Sequence, residues 1–232
     1  MPVPVPRAHP PTVREDGRLA RGGRARAALA EALLELVAEG DLQPTSKRVA
    51  ERAGVSPRLV FHHFQDMEAV LQRAASIQLE KQMSTITPLP NSGPLSERIR
   101  LVVERRSRIF EEISPVRRAV NLAAHNSETL REGLELGRNL LHQGLEHAFA
   151  LELEKLENES RRRILDALDV AGSWETWEQL RDLGREPDDA SRTMALLFWT
   201  ILNVDADEIE RATEIVDSMA HDHRATDQTR GN

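Results

Sequence analysis

Residues 45–64 read Thr-Ser-Lys-Arg-Val-Ala-Glu-Arg-Ala-Gly-Val-Ser-Pro-Arg-Leu-Val-Phe-His-His-Phe. Its pattern is two short helices joined by a tight turn. Thr45 is placed to cap the first, because its hydroxyl accepts a hydrogen bond from an N–H that the opening turn leaves unpaired. Val49 and Ala50 give that helix an inward face, and the small Ala50 lets a second helix cross close to its backbone. Gly54 stands where the chain leaves the first helix, in a left-handed conformation that glycine adopts without steric cost. Val55 plugs the turn. Ser56 and Pro57 start the second helix, as a cap and a first-turn residue whose missing N–H has no partner to lose. Val60 falls where the second helix packs back on Ala50. Lys47, Arg48, Arg52 and Arg58 ring the joint with positive charge. Taken alone, the segment is either a plain helical hairpin with a solvated rim or a helix-turn-helix that docks on nucleic acid. The cap pair and the basic rim raise the second reading to about even terms with the first, and the residues alone leave both open.

The run Ala50-Glu-Arg-Ala-Gly-Val-Ser, followed by Val60-Phe61-His62-His63-Phe64, resembles the DNA-binding signature of the TetR family of bacterial transcription regulators. In that pattern the second helix commonly ends Leu-Tyr-x-His-Phe. Val60 stands for the Leu and Phe61 for the Tyr, while His63 and Phe64 match outright. The likeness is specific over residues 24–71 and architectural beyond them. Two positions depart from it. Phe61 lacks the phenol that often touches phosphate in the family, and Met67 replaces the basic residue usual at the start of the next helix.

The resemblance implies an all-α homodimer with an N-terminal three-helix, helix-turn-helix head and a larger C-terminal ligand-binding and dimerisation domain. It implies a palindromic double-stranded operator and an unidentified small-molecule effector as partners. DNA contact is expected from Thr45, Lys47, Arg48, Ser56, Pro57, Arg58, Phe61 and His62. His62 takes a variable, DNA-facing position, and His63 packs with Phe64 against the rest of the head. Adjacent on a helix, the two histidines point about 100° apart, so they cannot chelate one ion from one face as an i, i+4 pair does.

The charge distribution agrees with local docking. Residues 1–64 hold 10 Lys/Arg against 7 Asp/Glu, a net +3, which leaves −10 for the remainder of a 232-residue chain whose net charge is −7. A mildly basic head on an acidic body presents one end to phosphate. There is no cysteine, which excludes disulfides and thiol chemistry. No apolar run approaches the roughly 20 residues of a membrane span. The Pro-rich start has no apolar secretory core, so the expected location is cytoplasmic.

The expected domains are a flexible Pro/Arg-rich arm at 1–20, the head at 21–66, the body at 67–221 and a disordered tail at 222–232. Arg14, Arg18, Arg21, Arg24 and Arg26 lie on the lead-in, either as groove-reaching cations or as a solvated tail. Residues 24–39 form the first strong helix, with Leu29, Leu33, Leu36 and Val37 in phase. Asp66 caps a helix to about residue 83. Residues 95–113 are helical, and Ser114-Pro115 restarts a helix to about 125. A long helix follows over 127–149, in which Gly133, Gly137 and Gly144 either permit close helix contact or leave room for a ligand. Residues 151–158 read as a loop. Single helices are expected over 160–183, 190–202 and 206–219. No strand pattern occurs.

No catalytic set is legible: nothing combines nucleophile, base and orienting group. Glu104, Glu111 and Glu112 read as solvated helix faces. His221-Asp222-His223 has the residue types of a metal site but sits in a polar tail without a further ligand in phase, so neither metal nor cofactor is expected. Val102, Phe110, His142 and Trp174 are candidate walls of a pocket between body helices. Leu168, Trp177, Met194, Leu197, Phe198 and Ile201 are candidates for the dimer seam, because the resemblance places the last two long helices in a four-helix bundle with the partner. The functional expectation is a sequence-specific transcriptional regulator, in the family's usual manner a repressor released by its ligand. The alternative is a helical ligand-binding or scaffold protein whose head does not bind DNA.

Overall fold

The computed structural model describes residues 13–211 apart from 65, 86, 206 and 210, with side chains from residue 22 on except at 63 and 85. Among the described residues there are ten helices and no strand. They are α1 (Val13–Ala38), α2 (Ser46–Arg52), α3 (Pro57–His63), α4 (Met67–Thr85), α5 (Leu95–Ala124), α6 (Glu128–Ala148), α7 (Ala150–Leu153), α8 (Asn158–Ala171), α9 (Trp174–Asp182) and α10 (Pro187–Leu202). The chain divides into two compact units, residues 1–86 with 113–133 and residues 87–112 with 134–232.

In the first unit, α1 is the spine and α2, α3 and α4 pack on it. Leu29, Ala30, Leu33, Leu36 and Val37 are buried on α1, with Val49 and Ala50 on α2, Val60 on α3 and Val70 and Ala74 on α4. Burying apolar surface at about 25 cal/mol per Å² is what fixes α2 and α3, which at seven residues each are too short to persist alone. Glycine ends two of them in the same way. At Gly40 (φ +96°), the N–H of Asp41 reaches Leu36 O and that of Gly40 reaches Val37 O, both at 3.0 Å. At Gly54 (φ +66°), Val55 N–H donates to Ala50 O at 2.9 Å. Both are left-handed caps that satisfy the last carbonyls of a helix. Asp66 caps α4 through the N–H of Ala69, 2.9 Å away. The hydroxyl of the buried Ser127 donates to Glu68 Oε1 at 2.5 Å and accepts from the N–H of Leu130 at 3.2 Å, so it opens α6 and holds the start of α4.

The second unit is organised by buried arginines on α5. Arg98 is 2 % exposed. It donates to Ala148 O at 2.7 Å and to both carboxylate oxygens of Glu152 at 2.7 and 2.5 Å, with Phe149 beneath its guanidinium. Arg106 is 4 % exposed and donates to the carbonyls of Leu141, at 2.8 Å, and Gly172. Trp177, on α9, donates its indole N–H to Glu111 Oε1 at 3.0 Å. Glu111, read from sequence as a solvated face, is thus an anchor for α9, with Arg181 also 3.2 Å from it.

Several expected boundaries move. The first helix begins at Val13 rather than at residue 24. No restart occurs at Ser114-Pro115, because α5 runs through Pro115. A proline removes one helical hydrogen bond there, and the buried Val116, Ala119 and Val120 beyond it hold the continuing turn in place. The expected 160–183 helix is two helices. Gly172 ends α8 and the Ser173 hydroxyl caps α9 through the N–H of Thr176 at 3.0 Å. Residues 150–153, expected in or beside a loop, form α7, which buries Leu153. The expected 206–219 helix and His221-Asp222-His223 lie wholly or mostly outside the described residues.

Candidate nucleic-acid interface

The turn between α2 and α3 is built as the residues dictate. The Thr45 hydroxyl accepts from the N–H of Arg48 at 3.3 Å. Ser56 holds the extended cap conformation (φ −75°, ψ 147°) without a side-chain hydrogen bond, and Pro57 follows as the first helical residue. Val60 is 1 % exposed and anchors α3 from beneath. Around it, Ser56, Pro57, Arg58 and His62 are exposed, and Phe61 shows 61 % of its surface. A phenyl ring with that exposure has no packing task in the protomer. With Thr45, Lys47 and Arg48 also exposed, all eight expected contact residues lie on the solvent side of the α2–α3 segment. The side chain of His63 lies outside the described residues, and Phe64 is half-buried.

The electrostatics of this face are less simple than the residue list. Arg48 Nη1 is 2.6 Å from Asp41 Oδ2. Lys47 lies 3.9 Å from Glu51. Arg52 bonds both carboxylate oxygens of Glu39 at 2.8 and 2.7 Å and reaches Glu35 at 3.3 Å. The Arg52 guanidinium holds Glu39 below the usual carboxylate range, and Glu39 in turn raises Arg52. Arg52 therefore ties α2 to α1. Arg58 makes no ion pair among the described residues, and neither do Arg24 and Arg26. Sequence reasoning missed these acidic partners, although Glu35 and Glu39 carry a readable signal: four apart on a helix, they share a face. Asp41 gives no such signal, because a turn lies between it and Arg48.

In the body, Val102, Phe110 and Trp174 are buried, while His142 is half-exposed with its Nδ1 2.5 Å from Asp169 Oδ2. Two cavities are described. A groove of 620 Å³ between α5 and α10 is lined by Ile99, Val103, Glu104, Ser191, Leu196 and Trp199, among others. A smaller hollow of 150 Å³ lies by Leu153, Ile164 and Leu202. None of the four expected pocket residues lines either. At Gly133, Gly137 and Gly144 an added Cβ would meet nothing within 4 Å, so these glycines leave open space and do not admit a close helix. Of the expected seam residues, Leu168, Trp177, Met194 and Phe198 are fully buried within the protomer. Ile201 is half-buried and Leu197 exposed. The apolar side chains that α10 shows to solvent are Leu196, Leu197 and Trp199, and α8 adds Val170. Among the described residues no cluster of His, Cys, Asp and Glu is arranged to hold a metal ion, and no helix is long and apolar enough to cross a membrane.

Residues 29–74, which include α2, α3 and the turn between them, match the pattern of the bacterial regulatory proteins of the tetR family. No curated protein matches the chain. The fold is similar to the crystal structure of a transcriptional regulator from Rhodococcus sp. Rha1. The two share 20% identity over 76% of this chain and 95% of that one, with a TM-score of 0.61.

Proposed function

We propose that this chain, whose residues 29–74 match the pattern of the bacterial regulatory proteins of the tetR family, is a member of that family and a sequence-specific, DNA-binding transcriptional regulator. One observation carries the reading. The second helix of the turn buries Val60 and leaves Pro57, Arg58, Phe61 and His62 exposed, which is the placement a major groove requires of a reading helix. The chain works as a homodimer, and its two reading helices address half-sites about one helical turn, roughly 34–36 Å, apart. The exposed Leu196, Leu197 and Trp199 of α10, with Val170 of α8, form the seam.

It acts as a repressor, and a small molecule held by the body releases it. That release is a coupling free energy: a ligand that favours a different separation of the reading helices weakens DNA binding, and DNA weakens the ligand equally. Val102, Phe110, His142 and Trp174 remain the proposed pocket residues, and the open side of α6 at Gly137 and Gly144 supports a site beside that helix. The proposed location is the cytoplasm, with the DNA it reads.

Selection of bound duplexes from a random pool tests the core of the reading. A palindrome with half-sites one turn apart is the expected product. A pool that stays random at low salt leaves a helical ligand-binding or scaffold protein as the better description.

A further inference from the structure

We propose that Asp41 is an intramolecular stand-in for a DNA phosphate, so that the head docks by displacement and Asp41 sets its affinity for every duplex. The inference rests on the DNA-binding reading above and adds a residue to it.

Asp41 is held in place. Its N–H is fixed to Leu36 O by the cap at the end of α1, and its carboxylate meets Arg48 Nη1 at 2.6 Å. The backbone of Arg48 is fixed as well, since its N–H donates to the Thr45 hydroxyl. Exposed ion pairs are weak mainly because two long side chains must be ordered to make them. Here the acid is short and its backbone pinned, so that cost is small. Yet Arg48 keeps 55% of its side-chain surface in solvent, so an incoming phosphate reaches the same guanidinium.

The rest of the face sharpens the effect. Residues 22–64 carry six Lys/Arg and five Asp/Glu, a net charge of only +1. Lys47 has Glu51 beside it, and Arg52 is committed to Glu35 and Glu39. Among the described residues, Arg58 alone of the basic rim has no carboxylate to leave. Phosphate contact is common to all sequences, whereas base contact distinguishes them. The carboxylate therefore taxes anchoring on any duplex and leaves the choice of sequence to α3. When phosphate takes Arg48, the freed Asp41 faces the DNA charge and recruits a cation, so part of the usual counterion release is returned.

The test compares full-length protein with Asp41→Asn, a change of charge with little change of shape. The probes are a mixed-sequence duplex of about 30 base pairs, as long as three helical turns, and the best duplex the wild type selects from a random pool. Affinity is read against salt. The variant should bind both probes more tightly by the same factor, roughly 2- to 30-fold for two heads, with a salt slope steeper by about two. In an Arg48→Gln background the gain from Asp41→Asn should vanish. Unchanged affinity and slope overturn the proposal, and so does an equal gain without Arg48, which would make Asp41 a background charge. If only the variant binds, the proposal stands in its strongest form. If neither protein binds any duplex at low salt, the DNA-binding reading itself falls. Circular dichroism checks folding, and Asp41→Ser supplies the same comparison should the Asn variant not fold.

Discussion

Arg58 and Arg106 carry the same guanidinium group, and their surroundings give it opposite tasks. Arg58 is exposed in the first turn of α3, free to pair bidentately with the two acceptors of a guanine edge. Arg58→Ala should cost about 1–3 kcal/mol on the true operator and relax the preference at one base per half-site. Binding to random DNA, measured in parallel, decides its role: an equal loss there makes Arg58 a phosphate contact and His62 the stronger candidate reader. Arg106 is buried. Burial pushes its pKa down to about 10, against the opposing pull of Asp169, so it is still charged at neutral pH. It is spent on the carbonyls of Gly172 and Leu141. A Cβ at residue 172 would stand 2.5 Å from Arg106 Nη1 and 2.7 Å from Phe198 Cζ, and both side chains are enclosed. Gly172→Ala should therefore overpack the body and destabilise it by about 1–3 kcal/mol, seen as a lower denaturant midpoint. Arg58 was legible because turn grammar places it on the outer face. The need for glycine at 172 was not, because its cause is a side chain 66 residues away.

At the scale of elements, what could be read was what neighbouring residues decide. The end of α2, the turn and the start of α3 follow from Thr45, Gly54, Ser56 and Pro57, each acting within a few residues. The α8–α9 break and the continuous α5 were not readable, since local signals point the wrong way and tertiary contacts overrule them. Gly172-Ser173 looks tolerable inside a helix until Arg106 claims the Gly172 carbonyl. Ser114-Pro115 looks like a start until the buried face of α5 continues past it. The latch between α5 and α7 is equally hidden. Arg98, hydrogen-bonded to Glu152, holds its carboxyl below the ordinary value of 4.5. A lowered folded-state pKa means stability that is present above the unfolded value and lost as pH falls through the folded one. Replacing Glu152 by Ala strands a buried guanidinium and should cost about 3–5 kcal/mol at neutral pH. The gap between variant and wild type should close as pH drops below about 4.5, the range in which an unfolded Glu takes up its proton. Urea melts at pH 7 and pH 3 measure both ends, and a gap that does not change with pH would remove Glu152 from the latch.

The molecule as a whole sets its apolar surface and its charge at different places. Helical periodicity found the apolar stripes of α8, α9 and α10 but not their division between core and outer surface. Leu168, Trp177, Met194 and Phe198 went inward, while Leu196, Leu197 and Trp199 stayed outside. Phase along one helix cannot separate these, because α10 is apolar on both sides. The division makes the seam testable. Trp199→Glu should leave a folded monomer in sedimentation, with helix content unchanged. Phe198→Glu should unfold the chain, since a desolvated charge there has no partner. A dimer that survives Trp199→Glu at micromolar concentration would move the seam off α10. The charge asymmetry, in contrast, was fully legible, because counting needs no fold: +3 before residue 65 and −10 after it.

The three tryptophans also make the molecule its own spectroscopic label. Trp174 and Trp177 are 6 % and 0 % exposed, whereas Trp199 is 47 % exposed on the wall of the α5–α10 groove. With no tyrosine in the chain, ultraviolet emission comes from indoles in two environments. The two buried rings should emit to the blue and resist acrylamide, and Trp199 should emit to the red and be quenched. Anything that covers α10, whether a second subunit or a molecule in the groove, removes the red, quenchable fraction and leaves the blue one as an internal standard.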